Sequence, residues 1–160
     1  MNIFVLDLDP KKCAQYHCNK HVIKMILEST QLLCDTLHVA GTYKSYIVPY
    51  KATHINHPCA IWARASLSNW LWLKQLALEL CKEYTIRYGK QHKCEAIIKN
   101  LPNPNLIDYG LTIRPLCMPD EVKKSTVVES YHNYYLTCKQ ALLSWKVTNP
   151  PYWVPKNLIK

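Results

Sequence analysis

His21, Lys24 and Glu28 recur at i, i+3 and i+7 near the start of the chain, a spacing that stacks side chains in one row along an α-helix. His17 extends the row backwards if the helix runs through it. A carboxylate set among cations and imidazoles can steady a developing positive charge and move protons during bond cleavage. The opposite side of the same stretch carries Val22, Ile23, Ile26, Leu33 and Leu37, the core stripe of an amphipathic helix. A polar row of this kind is equally what a solvated face looks like, so its position decides its meaning. The preceding segment, MNIFVLDLD, brings the terminal amine of the chain within reach of the Glu28 carboxylate.

The elements around this row are legible from periodicity and punctuation. Residues 2–8 are apolar on both faces and fit a short extended segment buried between other elements. Asp9-Pro10 reads as an N-cap and first-turn proline, opening a short helix over 10–18. A long helix follows over about 20–39, closed by Gly41. Residues 42–57 form a loop that ends in His54-Ile-Asn-His57-Pro58. A second long helix runs from Pro58 to Gly89 and a shorter one covers about 92–100. The crossing LPNPNLIDYGLTIRP leads to a third long helix, which begins at Pro119-Asp120-Glu121 with the acidic start the helix dipole favours. Its period runs through Val128, Tyr131, Tyr135, Cys138, Leu142 and Trp145, and Asn149-Pro150-Pro151 ends it. The expectation is all-α: three long helices plus short helices around a buried N-terminal extended segment, one compact domain over 1–160.

Twenty Lys and Arg against eleven Asp and Glu give a formal charge of +9, which points to an anionic partner and first to nucleic acid. The excess is mostly lysine, with only Arg64, Arg87 and Arg114 as arginines. Lysine suits phosphate contacts better than the reading of base edges, so sequence preference should be weak. Eight cysteines at irregular spacing inside helical patterns read as reduced and mostly core. No leader pattern opens the chain and no run approaches the roughly 18 apolar residues of a membrane span, so an intracellular protein, cellular or virus-encoded, is expected. With three glycines there is no P-loop and no dinucleotide fingerprint. The His57-Pro-Cys59 string lacks the His-x-Glu and Cys-x-x-Cys of a zinc deaminase.

Four features resemble the pyrimidine-dimer DNA glycosylase family of the phage endonuclease V type. An extended N-terminal segment leads into a helix with His21 and, seven residues on, Glu28. A loop with Tyr50 and Asn56-His57-Pro58 precedes the second helix. That helix ends in Arg87-Tyr88-Gly89, and the chain closes on Pro151-Tyr152-Trp153 with Lys156. The resemblance implies a DNA repair glycosylase and AP lyase whose terminal α-amine attacks C1′ of the damaged nucleotide and forms an imine, assisted by a glutamate. By position that glutamate is Glu28, and the amine belongs to Met1, or to Asn2 if the initiator is removed. An α-amine suits the task, since such groups titrate near 7.7–8.0 and lysine near 10.4. The implied DNA contacts are His17, Lys20, His21, Lys24, His57 and Arg64, with Tyr152, Trp153 and Lys156 from the tail stacking on an extruded base or holding phosphate. Double-stranded damaged DNA is the implied partner of a monomer that needs no metal or organic cofactor.

Two departures stand against the pattern. Asn2 occupies a position where the family exposes a small residue. The arginines expected beside the glutamate are replaced by Leu27 and neighbouring aliphatics, which leaves Lys24 as the nearest cation. These motivate the alternative of a non-catalytic nucleic-acid-binding protein on the same fold. A third reading, an intracellular zinc-binding module, rests on the Cys-x3-His and Cys-x2-His spacing of Cys13, His17, Cys18 and His21, completed by His54, His57 or Cys59. His54 reads as a loop or capping partner. Tyr131 and Tyr135 read as packing residues.

Overall fold

Asp9 accepts a hydrogen bond from the Lys11 amide and, with Pro10 in the first turn, starts the first helix of a computed structural model that describes all of residues 1–160. The chain is all-α, with no strands. Its helices are α1 (Pro10–Tyr16), α2 (Asn19–Ala40), α3 (Pro58–Ala65), α4 (Leu67–Tyr88), α5 (Cys94–Asn100) and α6 (Val127–Cys138), with short 3-10 turns at Asp120–Val122, Gln140–Leu142 and Lys156–Leu158. The two 22-residue helices, α2 and α4, pack along each other, and α1 lies against α4. Gly89 ends α4 in the left-handed conformation, at φ 66° and ψ 21°, a backbone that a residue without Cβ adopts at least cost. No helix is long and apolar enough to cross a membrane.

Residues 3–6 of the N-terminal segment are buried among these helices without a partner strand, so side chains must satisfy its backbone. The Cys13 thiol donates to the Phe4 carbonyl at 3.2 Å, His132 Nε2 meets the Leu6 carbonyl at 2.7 Å, and Trp72 Nε1 donates to the Leu8 carbonyl at 2.9 Å. Three elements far apart in sequence thus hold one extended stretch. Arg87 does the equivalent for the joint between α1 and α2. Its fully buried guanidinium pairs with Glu83 at 2.9 Å and donates to the carbonyls of His17 at 2.7 Å and Gln15 at 3.0 Å.

The expected helix over 58–88 divides at Ser66, whose backbone is extended at φ −157° and ψ 146°. The loop after α5 occupies the break. Asp108 Oδ1 accepts from the Ser66 hydroxyl at 3.0 Å and the Ser68 amide at 3.1 Å, and the Leu67 amide donates to the Ile107 carbonyl. The orphan donors at the start of α4 are therefore satisfied by tertiary contacts.

The third helix is also shorter than its apolar period implies, because it starts at a capping box and not at Pro119. Thr126 Oγ1 accepts from the Glu129 amide and the Glu129 carboxylate accepts from the Thr126 amide. Beyond Cys138 the chain leaves the helix to serve others: the Ser144 carbonyl accepts from the Asn19 amide at the start of α2, and Trp145 Nε1 donates to the Tyr16 carbonyl. The architecture therefore has two long helices and four shorter ones. Ile23 departs from the expected core stripe as well, being 42% exposed while Val22, Ile26, Leu33 and Leu37 are buried.

Candidate active site at the N-terminus

Glu28 lies on α2 with its side chain 12% exposed and its two oxygens turned to different cations. Oε2 is 3.6 Å from the amine of Met1 and accepts the Asn2 amide at 3.2 Å. Oε1 is 3.4 Å from Lys24 Nζ, one helical turn back and largely in solvent. Both candidate terminal nitrogens therefore sit against the same carboxylate oxygen.

The Asn2 side chain fixes this register. Its Nδ2 donates to the Cys117 carbonyl at 2.9 Å, and its Oδ1 accepts from the Ile3 amide and the Tyr131 hydroxyl, each at 2.8 Å. An asparagine at position 2 is thus an anchor that crosses to the C-terminal part of the chain.

The carboxylate is open to solvent on its other side. Glu28 lines a groove of about 430 Å³ with Ile23, Lys24, Leu27, Tyr50, His92 and Lys93. Exposed Ile23 and Leu27 give that groove apolar surface on α2, and Lys24 and Lys93 place ammonium groups beside it.

The polar row divides on either side of residue 21. His17 and His21 are buried, and they belong to the core around Phe4. His21 stacks on the Phe4 ring at 4.3 Å between centroids, and its Nδ1 meets the Tyr135 hydroxyl at 2.7 Å; His17 Nδ1 meets the Cys13 carbonyl at 2.7 Å. Burial pushes His17 down to about 4 and His21 down to about 3, so both are neutral near pH 7 and neither offers a cation to phosphate. Lys20 and Lys24 are exposed. The expected zinc group of Cys13, His17, Cys18 and His21 does not assemble: the His, Cys and carboxylate ligand atoms that do converge are those of His57, Cys59 and Cys117.

His57 caps α3, accepting from the Cys59 amide through Nδ1 at 3.1 Å. Burial lowers its pKa first, the terminal amine and His54 lower it further, and Glu28 opposes them. It therefore stands close enough to feel both members of the amine-carboxylate pair. Arg64 is half-buried and donates to the Ile55 carbonyl. In the tail, Tyr152 is 88% exposed and Lys156 is exposed, but Trp153 stacks on His132 at 3.8 Å between centroids. That stack pins the tail to α6.

With this geometry in place, a comparison with known families is decisive: a family model described as pyrimidine dimer DNA glycosylase matches residues 1–96. The chain belongs to that family. No curated protein and no solved structure matches it. The matched stretch contains Met1, Asn2, Lys24, Glu28 and His57, so the amine-carboxylate pair of this glycosylase-family chain lies wholly within it. Cys117 and the Tyr131 hydroxyl, which hold Asn2, lie outside it. Neither was signalled by local spacing, because each reaches the site through tertiary folding alone.

Proposed function

We propose that this chain is a DNA glycosylase and AP lyase for damaged pyrimidines in duplex DNA, with the terminal amine as nucleophile and Glu28 as its acid-base and electrostatic partner. The observation that carries this reading is the 3.6 Å separation of the Met1 amine and Glu28 Oε2, a carboxylate that also lines an open groove. The amine, once deprotonated, attacks C1′ of the damaged nucleotide; the C1′–N bond to the protein forms as the glycosidic bond breaks and the base departs with its electron pair. The Glu28 carboxylate steadies the positive charge that develops on the sugar. Ring opening then protonates O4′ and leaves an iminium at C1′, and loss of a C2′ proton expels the 3′ phosphate. In this reading Glu28 carries these protons.

Lys20, Lys24 and Lys93 supply the phosphate contacts in this reading, and Ile23 and Leu27 the apolar surface for sugar or base. Tyr152 is the tail residue free to stack on an extruded base. His57 takes its place as a neighbour of the amine.

Borohydride reduction in the presence of abasic or ultraviolet-irradiated duplex DNA is the test. A covalent protein-DNA adduct on the first residue is expected. Glu28→Gln should lower base release by about 10²–10³-fold while binding, with its steep salt dependence, persists. Intact binding without any adduct overturns the imine chemistry, and unchanged turnover in E28Q removes Glu28 from the reaction.

A further inference from the structure

Behind the terminal amine, three side chains that the proposed chemistry does not consume converge from two distant segments. His57 caps α3, Cys59 is fully buried in its first turn, and half-buried Cys117 comes from the irregular crossing after α5. The two sulfurs are 3.6 Å apart, and the ligand atoms of all three residues lie within 4.8 Å of one another. Two thiolates bound to one tetrahedral Zn²⁺ at about 2.3 Å each are separated by about 3.8 Å. The sulfurs therefore already stand at nearly that spacing, in a chain whose cysteines are all free.

We propose that His57, Cys59 and Cys117 form a binding site for a soft divalent cation of the Zn²⁺ class, with three protein ligands and a fourth position open beside the terminal amine. Ligand chemistry favours this class, since thiolate and imidazole together select zinc over hard cations such as Mg²⁺ or Ca²⁺. Binding exchanges the thiol protons of Cys59 and Cys117 for the cation and releases them to solvent. Cys117 is half-buried, which leaves a way in. Cys117 also presents its carbonyl to Asn2 Nδ2, so a cation at this site ties the crossing to the segment that carries the amine. The proposal does not depend on the glycosylase reading, because its test reads metal and not DNA.

Reduced, metal-stripped full-length protein titrated with Co²⁺ should develop thiolate-to-cobalt charge-transfer absorption and tetrahedral d–d bands that saturate at one equivalent and vanish when Zn²⁺ is added. One equivalent of Zn²⁺ should raise the melting temperature. Cys117→Ser should weaken binding by about a hundredfold or more, at least what loss of a contact supporting a ligand costs, whereas Cys138→Ser, at an exposed thiol elsewhere, should leave it unchanged. If buried Cys59 does not tolerate replacement, alkylation of the unmutated protein decides: Zn²⁺ should protect Cys117 and not Cys138. The proposal is overturned by a spectrum without charge-transfer bands, by bands that survive in C117S, or by equal alkylation of Cys117 with and without Zn²⁺.

Discussion

Residues 1–96 and residues 97–160 stand in different relations to the candidate site. The first stretch, which matches the family, contains both α2 and α4, the groove residues and the amine-carboxylate pair. The second contains one helix of twelve residues and much irregular chain, yet it holds Asn2 through Cys117 and Tyr131, His21 through Tyr135, and the Leu6 carbonyl through His132. The reacting groups and their positioning are thus divided along the chain. Family membership can be carried by the first stretch while the precision of the site depends on contacts from the second.

The largest effect is expected inside the first stretch. Arg87 is buried, and every bond its guanidinium makes is to residues 15–19 or Glu83. Removing one partner of a buried ion pair strands the other and costs about 3–5 kcal/mol. Arg87→Ala should therefore lower the free energy of unfolding by that amount in a urea titration. A loss below about 1 kcal/mol, the range of an exposed pair, would mean that the joint between α1 and α2 is held from elsewhere and that the first stretch is not self-supporting.

The next effect belongs to the seam between the two stretches. Burial lowers His17 to about 4 and His21 to about 3, against about 6.5 in an unfolded chain. Between those values the unfolded chain takes up protons that the native state refuses, so stability falls as pH drops from about 6.5 and levels off below about 3. The lost stability is on the order of 3 kcal/mol for His17 alone. Urea midpoints measured across this window should show the decline, and His21→Gln should make it shallower, leaving the His17 share. An unchanged slope in H21Q would remove His21 and its Tyr135 contact as the source.

How much of this was legible in the sequence follows the same division. Glu28 could be found because helical spacing is a local property and the extended segment before it is short. The all-α class followed from the same periodicity. The side to which the row turned was not legible, because Phe4 stacks on His21 and the burial of both depends on α6 arriving over them. Pro119-Asp120-Glu121 carries the proline and acidic residues of a helix N-terminus but forms only a 3-10 turn, and α6 starts after it. The competing signal, Thr126 with Glu129 three residues on, was present in the sequence and is the one the backbone obeys. The break at Ser66 was hidden for a different reason. Asp108 and Ile107 fill it from some forty residues away, and no periodicity reports a partner at that distance.

The smallest effect sharpens the comparison most. Tyr131 is fully buried; its hydroxyl donates to Asn2 Oδ1 at 2.8 Å and accepts from the Cys117 amide at 3.4 Å. Tyr131→Phe keeps the ring in the core and deletes that bridge, which should lower stability by about 1 kcal/mol. If the second stretch positions the amine, adduct formation should slow by about fivefold, the rate equivalent of the same energy, while DNA affinity stays unchanged. Thr137→Val deletes an exposed hydroxyl bond to the Asn133 carbonyl within α6, so it controls for any general weakening of that helix and should leave the rate alone. Equal trapping rates in Y131F and the unmutated protein, with stability lowered as expected, would reduce the second stretch to a support for folding, and the division between reacting and positioning segments would fail.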